Sequence, residues 1–149
     1  MALTPIGKVS LNGLIDEVAQ FTFNLAAGIT ASDVGKAVTL DATAANTVKL
    51  AGDADLILGR LEVVEVRTQE GTAVGTISVR GGMKFAVNPN ATASSPDETP
   101  APGDYISGAT NNASAKGFVQ KASTGNTVVT RWVVVEVLDA GANVIALGL

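Results

Sequence analysis

The sequence predicts an all-β fold: a small β-barrel or sandwich built from two similar β units of about 65 residues, behind a short N-terminal arm or helix. Three observations predict it. Val occurs 19 times, Thr 15 and Gly 16 in 149 residues, the balance of a chain made of strands and turns. Apolar and polar residues alternate in short runs separated by Gly-bearing turns, a period of two. The second half of the chain also resembles the first.

Residues 1–19 form the arm. Leu11, Leu14, Ile15 and Val18 fall at the spacing of one helical face, Ser10 stands where a cap would, and Asp16 and Glu17 would lie within such a helix. A docked irregular arm fits the same residues. The β domain runs over 20–149, with repeat boundaries at about 20–82 and 84–149. It opens with Phe21, Phe23 and Leu25 alternating with Gln20, Thr22 and Asn24. Strands at 36–40 and 47–50 flank a hairpin-like connection at 41–46. Further strands fall at 59–67, 75–80, 84–87, 104–107, 117–121, 127–138 and 143–147. Residues 89–102 carry four Pro among Ser, Thr and Asp, a loop composition.

The repeat is carried by Arg60-Leu-Glu-Val-Val-Glu-Val66, which returns as Arg131-Trp-Val-Val-Val-Glu-Val137, 71 positions later. Gly71 matches Gly141, and Thr76-Ile-Ser-Val79 matches Val144-Ile-Ala-Leu147. Upstream, Val34-Gly-Lys-Ala-Val-Thr39 matches Pro102-Gly-Asp-Tyr-Ile-Ser107, and Phe21-Thr-Phe-Asn24 matches Phe85-Ala-Val-Asn88. Units this small bury little core alone, so the two are expected to share one barrel or sandwich.

The repeated strand bears on assembly. In 131–138, strict alternation places Val133, Val135 and Val137 on one face and Trp132, Val134 and Glu136 on the other, both mostly apolar. In 61–66 it sets Leu61 and Val63 against Val64 and Val66. A small antiparallel sheet normally wets one face, so a second layer of this chain or a neighbouring protomer must cover the other. Candidate subunit contacts are Leu61, Val63, Trp132 and Val134, with Ala2, Leu3, Pro5, Ile6 and Leu11 of the arm. Glu65 and Glu136 occupy matched positions and are candidates for structural ion pairs with Arg60, Arg131 or a basic group of another subunit.

The composition excludes whole mechanisms. Without His or Cys there are no Ser-His-Asp or Cys-His triads, no Cys-ligated clusters and no disulfides. The missing disulfides fit a reducing compartment or stabilisation by association. A net charge of −4 with scattered basic residues disfavours nucleic acid. No apolar run reaches a membrane span, and Met1-Ala-Leu-Thr-Pro-Ile-Gly-Lys8 lacks the pattern of a signal peptide. The expectation is a soluble protein that stays in the cytoplasm where it is made. Asp53 and Asp55 lack a third ligand at suitable spacing, and Asp97-Glu98 lies among Pro and Ser. The Gly-rich stretches precede strands, without the helix and Lys of a phosphate loop. No enzyme and no cofactor is expected.

The segments GKAVTLDATAANTVKLAGDADLILGRLEVVEVR and GDYISGATNNASAKGFVQKA…RWVVVEVLDAGANVIALGL resemble tailed-bacteriophage capsid decoration (cement) proteins over about 34–149. The similar features are Gly-Lys or Gly-Asp opening a short strand, a run of small residues, and a Val-rich strand ending near Leu-Asp-Ala-Gly. The resemblance implies a tulip-like barrel or sandwich that forms homo-oligomers, trimers favoured over dimers. It would bind major capsid protein on the outer surface of the head, after synthesis in the host bacterial cytoplasm. No catalytic residues come with it. Alternatives from the same sequence are another phage module, in a head fibre, tail or baseplate, and a soluble β-rich binding module.

Overall fold

A computed structural model describes residues 20–52, 55–89, 99–109, 116–122 and 131–148. The fold is all-β. In the first half, β1 (Gln20–Leu25), β2 (Ala37–Leu40), β3 (Thr47–Leu50), β4 (Gly59–Arg67) and β5 (Thr72–Ser78) close into a barrel of order β1-β3-β2-β4-β5. In the second, β6 (Gly81–Ala86), β10 (Asn143–Gly148) and β9 (Trp132–Leu138) form one sheet, and β7 (Ile106–Gly108) pairs with β8 (Val119–Lys121). Each lies where alternation and turn residues place a strand, with ends that coincide or differ by up to three residues; the expected start of the strand at 127–138 lies outside the described residues. The arm at 1–19 and the middle of the Pro-rich loop lie outside the described residues.

The second half repeats the first pairing by pairing. The antiparallel pairs β1·β5, β4·β5 and β2·β3 recur as β6·β10, β9·β10 and β7·β8. The parallel pair Leu25↔Val48 recurs as the bridge Val87↔Val119. The β2·β4 contact recurs as the bridge Tyr105↔Val133. Even the turn is kept: Gly35 and Gly103 both have φ near +90°, a conformation that favours glycine. From each, the backbone N–H donates to the facing strand, Gly35 to Leu61 O (2.7 Å) and Gly103 to Val134 O (2.8 Å). The first half is a closed barrel; the second follows the same strand order as two small sheets joined by those bridges, an incompletely zipped second barrel.

The pairings also correct the sequence alignment. Leu61 superposes on Val134, not on Trp132, and Phe23 on Phe85, not on Val87. Both displacements are two residues, which leaves every side chain on its original face. Along β5 and β10 the slip is one residue: buried Ile77 corresponds to buried Ala146, not to half-buried Ile145.

A β-bulge in each half decides which valines are inside. β4 pairs Leu61 with Ile77 and Val63 with Thr76, leaving Glu62 unpaired. β9 pairs Val134 with Ala146 and Glu136 with Ile145, leaving Val135 unpaired. The extra residue resets the alternation. The inward set becomes Leu61 and Val64 in β4, with Val66 on the same side but 63 % exposed at the hairpin tip, and Trp132, Val134 and Val137 in β9. Much of the two-sided apolar character thus folds onto one face. Val63 and Val135 remain about half exposed, at 53 % and 51 %.

Two cores result. Leu25, Ile29, Val38, Val48, Leu61 and Ile77 fill the first barrel. Met83, Phe85, Val87, Ile106, Val119, Trp132, Val134, Val144 and Ala146 fill the second, joined by Ala37, Ala51 and Ile57 from the first. Trp132 stands edge-on to Phe85 at 5.2 Å and donates its indole N–H to Ile57 O at 3.1 Å. The donation satisfies a buried polar group while tying the barrels together.

Corresponding core positions exchange volume. Leu25, Leu61 and Gly75 in the first barrel stand where the second has Val87, Val134 and Val144. A Cβ on Gly75 would lie 2.7 Å from Leu25 Cδ2 and 2.9 Å from Leu61 Cδ1. Two large residues and none became three of middle size, a conserved total volume. Gly75→Val alone should therefore destabilise the protein by about 1–3 kcal/mol in urea unfolding. Adding Leu25→Val and Leu61→Val should recover most of that loss, a non-additivity expected of touching residues.

Candidate functional site

The structure separates the candidate contact residues. Leu61 and Trp132 are fully buried and Val134 is 2 % exposed, all inside this chain's own cores. They are corrected from intersubunit contacts to core residues, because each half packs around a core of its own that takes them in. Val63 stays on the surface. Ala2, Leu3, Pro5, Ile6 and Leu11 lie outside the described residues, as do Asp53, Asp97 and Glu98.

The arginines of β4 pair with glutamates close by in sequence rather than across strands. Arg60 pairs with Glu62 through Nε–Oε1 at 2.9 Å and Nη2–Oε2 at 3.0 Å. Arg67 pairs with Glu65 at 3.3 Å and Glu70 at 3.6 Å. The expected pairing of Glu65 with Arg60 is therefore replaced by partners two residues away. Arg131 and Glu136 are exposed and form no ion pair among the described residues. Arg60 also reaches the second barrel, where its Nη1 donates to Lys84 O at 3.3 Å.

One carboxylate has a built environment. Asp33 is 7 % exposed, in the turn that leads to Gly35 and β2. Its Oδ1 accepts from Lys36 Nζ at 2.7 Å and its Oδ2 from the Thr30 N–H at 2.8 Å. Burial pushes its pKa up, but the hydrogen bonds from Lys36 and Thr30 and the Lys36 charge outweigh burial and hold it below the ordinary carboxylate value. All partners belong to the same turn, so the group is a structural clasp.

Two open clefts lie at corresponding places. The first, about 640 Å³, runs between the end of β1 and the β4–β5 tip, lined by Leu25, Ala27, Ile29, Val66 and Ala73 among others. The second, about 870 Å³, runs between the end of β6 and the β9–β10 tip, lined by Val87, Pro89, Phe118, Ala140 and Ala142 among others. Both are mostly apolar and shallow. Among the described residues no three acidic side chains gather to hold a metal. No helix of the described residues is long and apolar enough to cross a membrane.

The remaining surface carries exposed apolar residues that alternation alone did not single out: Phe21, Val34, Leu40, Leu56, Val66, Tyr105 and Val135. Tyr105 offered a signal, being an aromatic at the position where the first unit has Ala37. Compared with protein-family models, curated proteins and solved structures, the chain matches none.

Asp33 gives a pH signature. Its pKa is lower folded than unfolded, so its stabilisation is present above about pH 4 and is lost as pH falls through the folded value. Asp33→Asn should cost about 1–2 kcal/mol at pH 7. In urea unfolding at pH 7 and pH 3, the gap between variant and parent should shrink at the lower pH.

Proposed function

We propose that this chain is a virion structural protein that binds the exterior of a tailed-phage head and cements contacts between major capsid proteins. The observation that carries the reading is the duplication: one chain presents two like units, each with a mostly apolar cleft at the corresponding position. A shell of repeated subunits is the kind of partner that a repeated surface fits. Two simultaneous contacts raise the effective affinity far above either alone.

The resemblance to decoration proteins supports the same reading. Its Gly-Lys and Gly-Asp motifs fall at Gly35 and Gly103, the corresponding left-handed turns, and its Leu-Asp-Ala-Gly falls at the β9–β10 tip. A net charge of −4 suits a position outside the packaged DNA. The partners proposed are the major capsid protein and further copies of this chain. The location proposed is the outer capsid surface, after synthesis in the bacterial cytoplasm.

The test is co-sedimentation of the purified protein with DNA-emptied, expanded heads and with unexpanded shells of the phage that encodes it. Saturable binding to expanded heads, and none to unexpanded shells, is expected, because expansion creates the flattened junctions between subunits. Equal binding to both forms, or binding to neither, overturns the reading.

A further inference from the structure

The contact between the two barrels is head to tail. The first barrel contributes Ala37, Ala51, Asp55 and Ile57; the second contributes Gly108, Gly117 and Trp132. The Ala37 N–H donates to Gly117 O (2.8 Å), the Gly117 N–H to Ala51 O (2.7 Å) and the Gly108 N–H to Asp55 O (2.9 Å). Trp132 seats on Ile57 O. These two faces do not correspond under the duplication. The second-barrel counterparts of Ala37 and Ala51 are Tyr105 and Ala122, and the same internal bond marks them: Ala51 N–H to Ala37 O at 3.0 Å, Ala122 N–H to Tyr105 O at 2.8 Å. The first-barrel counterparts of Gly108 and Gly117 are Leu40 and Asn46. Asn46 and Gly117 share a left-handed backbone, at φ 52° and 83°.

A heterologous contact leaves one unused copy of each face at the two ends of the body. Both are open here. Ala37 is fully buried, whereas Tyr105 is 51 % exposed; Gly108 is packed against Ala51, whereas Leu40 is 54 % exposed. Among the described residues the Tyr105 N–H makes no bond like that of Ala37 to Gly117.

We infer that copies of this chain associate head to tail, the Tyr105 face of one copy on the Leu40 face of the next, continuing the contact that already joins the barrels within the chain. The occupant of each face is thus a second copy. The contact is modified in an instructive way. Within the chain it is close because Ala37 and Gly108 are small; a Cβ on Gly108 would lie 2.8 Å from Gly52 N. Between chains the corresponding residues are Tyr105 and Leu40, so the backbones stand further apart and an aromatic–aliphatic pair fills the gap. The Trp132 anchor has no counterpart, because Gly59 occupies its place in the first barrel. The association between copies is accordingly weaker than the contact inside one, and reversible on dilution.

This contact is independent of the shell reading. An oligomer that ignores heads removes that reading and leaves the contact standing. The test uses the full chain in sedimentation-velocity runs from micromolar to hundreds of micromolar. The parent should run as more than one copy at the upper end and approach a single copy on dilution. Leu40→Glu and Tyr105→Glu should each run as a single copy throughout, with the far-ultraviolet spectrum and Trp132 emission of the parent. Leu40→Gln and Tyr105→Ser serve if either charged variant fails those controls. An equimolar mixture of the two variants should restore a two-copy species, since one retains the Tyr105 face and the other the Leu40 face. A parent that stays single over the whole range overturns the inference. So does an association that both variants keep, or one that both lose and the mixture does not restore.

Discussion

Every other feature of this fold depends on one unpaired residue in each long hairpin. Without the bulge at Glu62, strict alternation would put Leu61 inside and Val64 and Val66 outside, splitting the apolar surface of β4 between two faces. With it, Leu61 and Val64 share the inner face. The bulge at Val135 does the same for Trp132, Val134 and Val137. A bulge also bends and twists its strand, which a five-stranded barrel needs in order to close. The burial of Trp132, the filling of both cores and the sealing of the barrel contact all follow from that geometry.

The two halves show how such a unit diverges while keeping its fold. Pairings, left-handed turns and bulges are retained. Inside, Leu-Leu-Gly and Val-Val-Val fill the same space. At the surfaces volume is not conserved. Ala37 and Gly108 are small because another barrel lies against them, and their counterparts Tyr105 and Leu40 are large and exposed. Residue size at these positions therefore tracks whether a neighbour is built into the chain, whereas core size is conserved in total.

Much of this was legible in the sequence. Ten strands follow from the period of two and from Gly turns, and the duplication from Arg60–Val66 against Arg131–Val137. The bulges were not legible, since an extra residue within a run of valines changes neither composition nor local propensity. The displacement of β4 against β9 by two residues was hidden because it preserves inward and outward assignments, while the matching Arg and Glu of 60–66 and 131–137 favour the other register. The ion pairs were within reach. Neighbours two apart on a strand share a face, and Arg60 with Glu62 or Glu65 with Arg67 meets that rule. The contact residues were misplaced for a single reason: strict alternation leaves an apolar face uncovered, and nothing in the sequence reveals that each half closes on itself.

That closure changes what an assembly role requires. If the sheets had been left with an uncovered apolar side, association would have been obligatory, a matter of completing a core. Here each half already packs a core of its own, Trp132 already bridges the pair, and exposed apolar residues such as Val63, Val66, Leu40 and Tyr105 are scattered over the surface. A body of this kind needs no partner to complete its core, so any association it makes would rest on small contacts that are individually weak. Weak contacts become firm only when several form together, on a partner that presents the same feature at regular intervals. On the proposed reading, the tandem of like units and the modest surface belong together: affinity would be held in the number of contacts rather than in any single one, and would appear only once the repeated partner has been assembled.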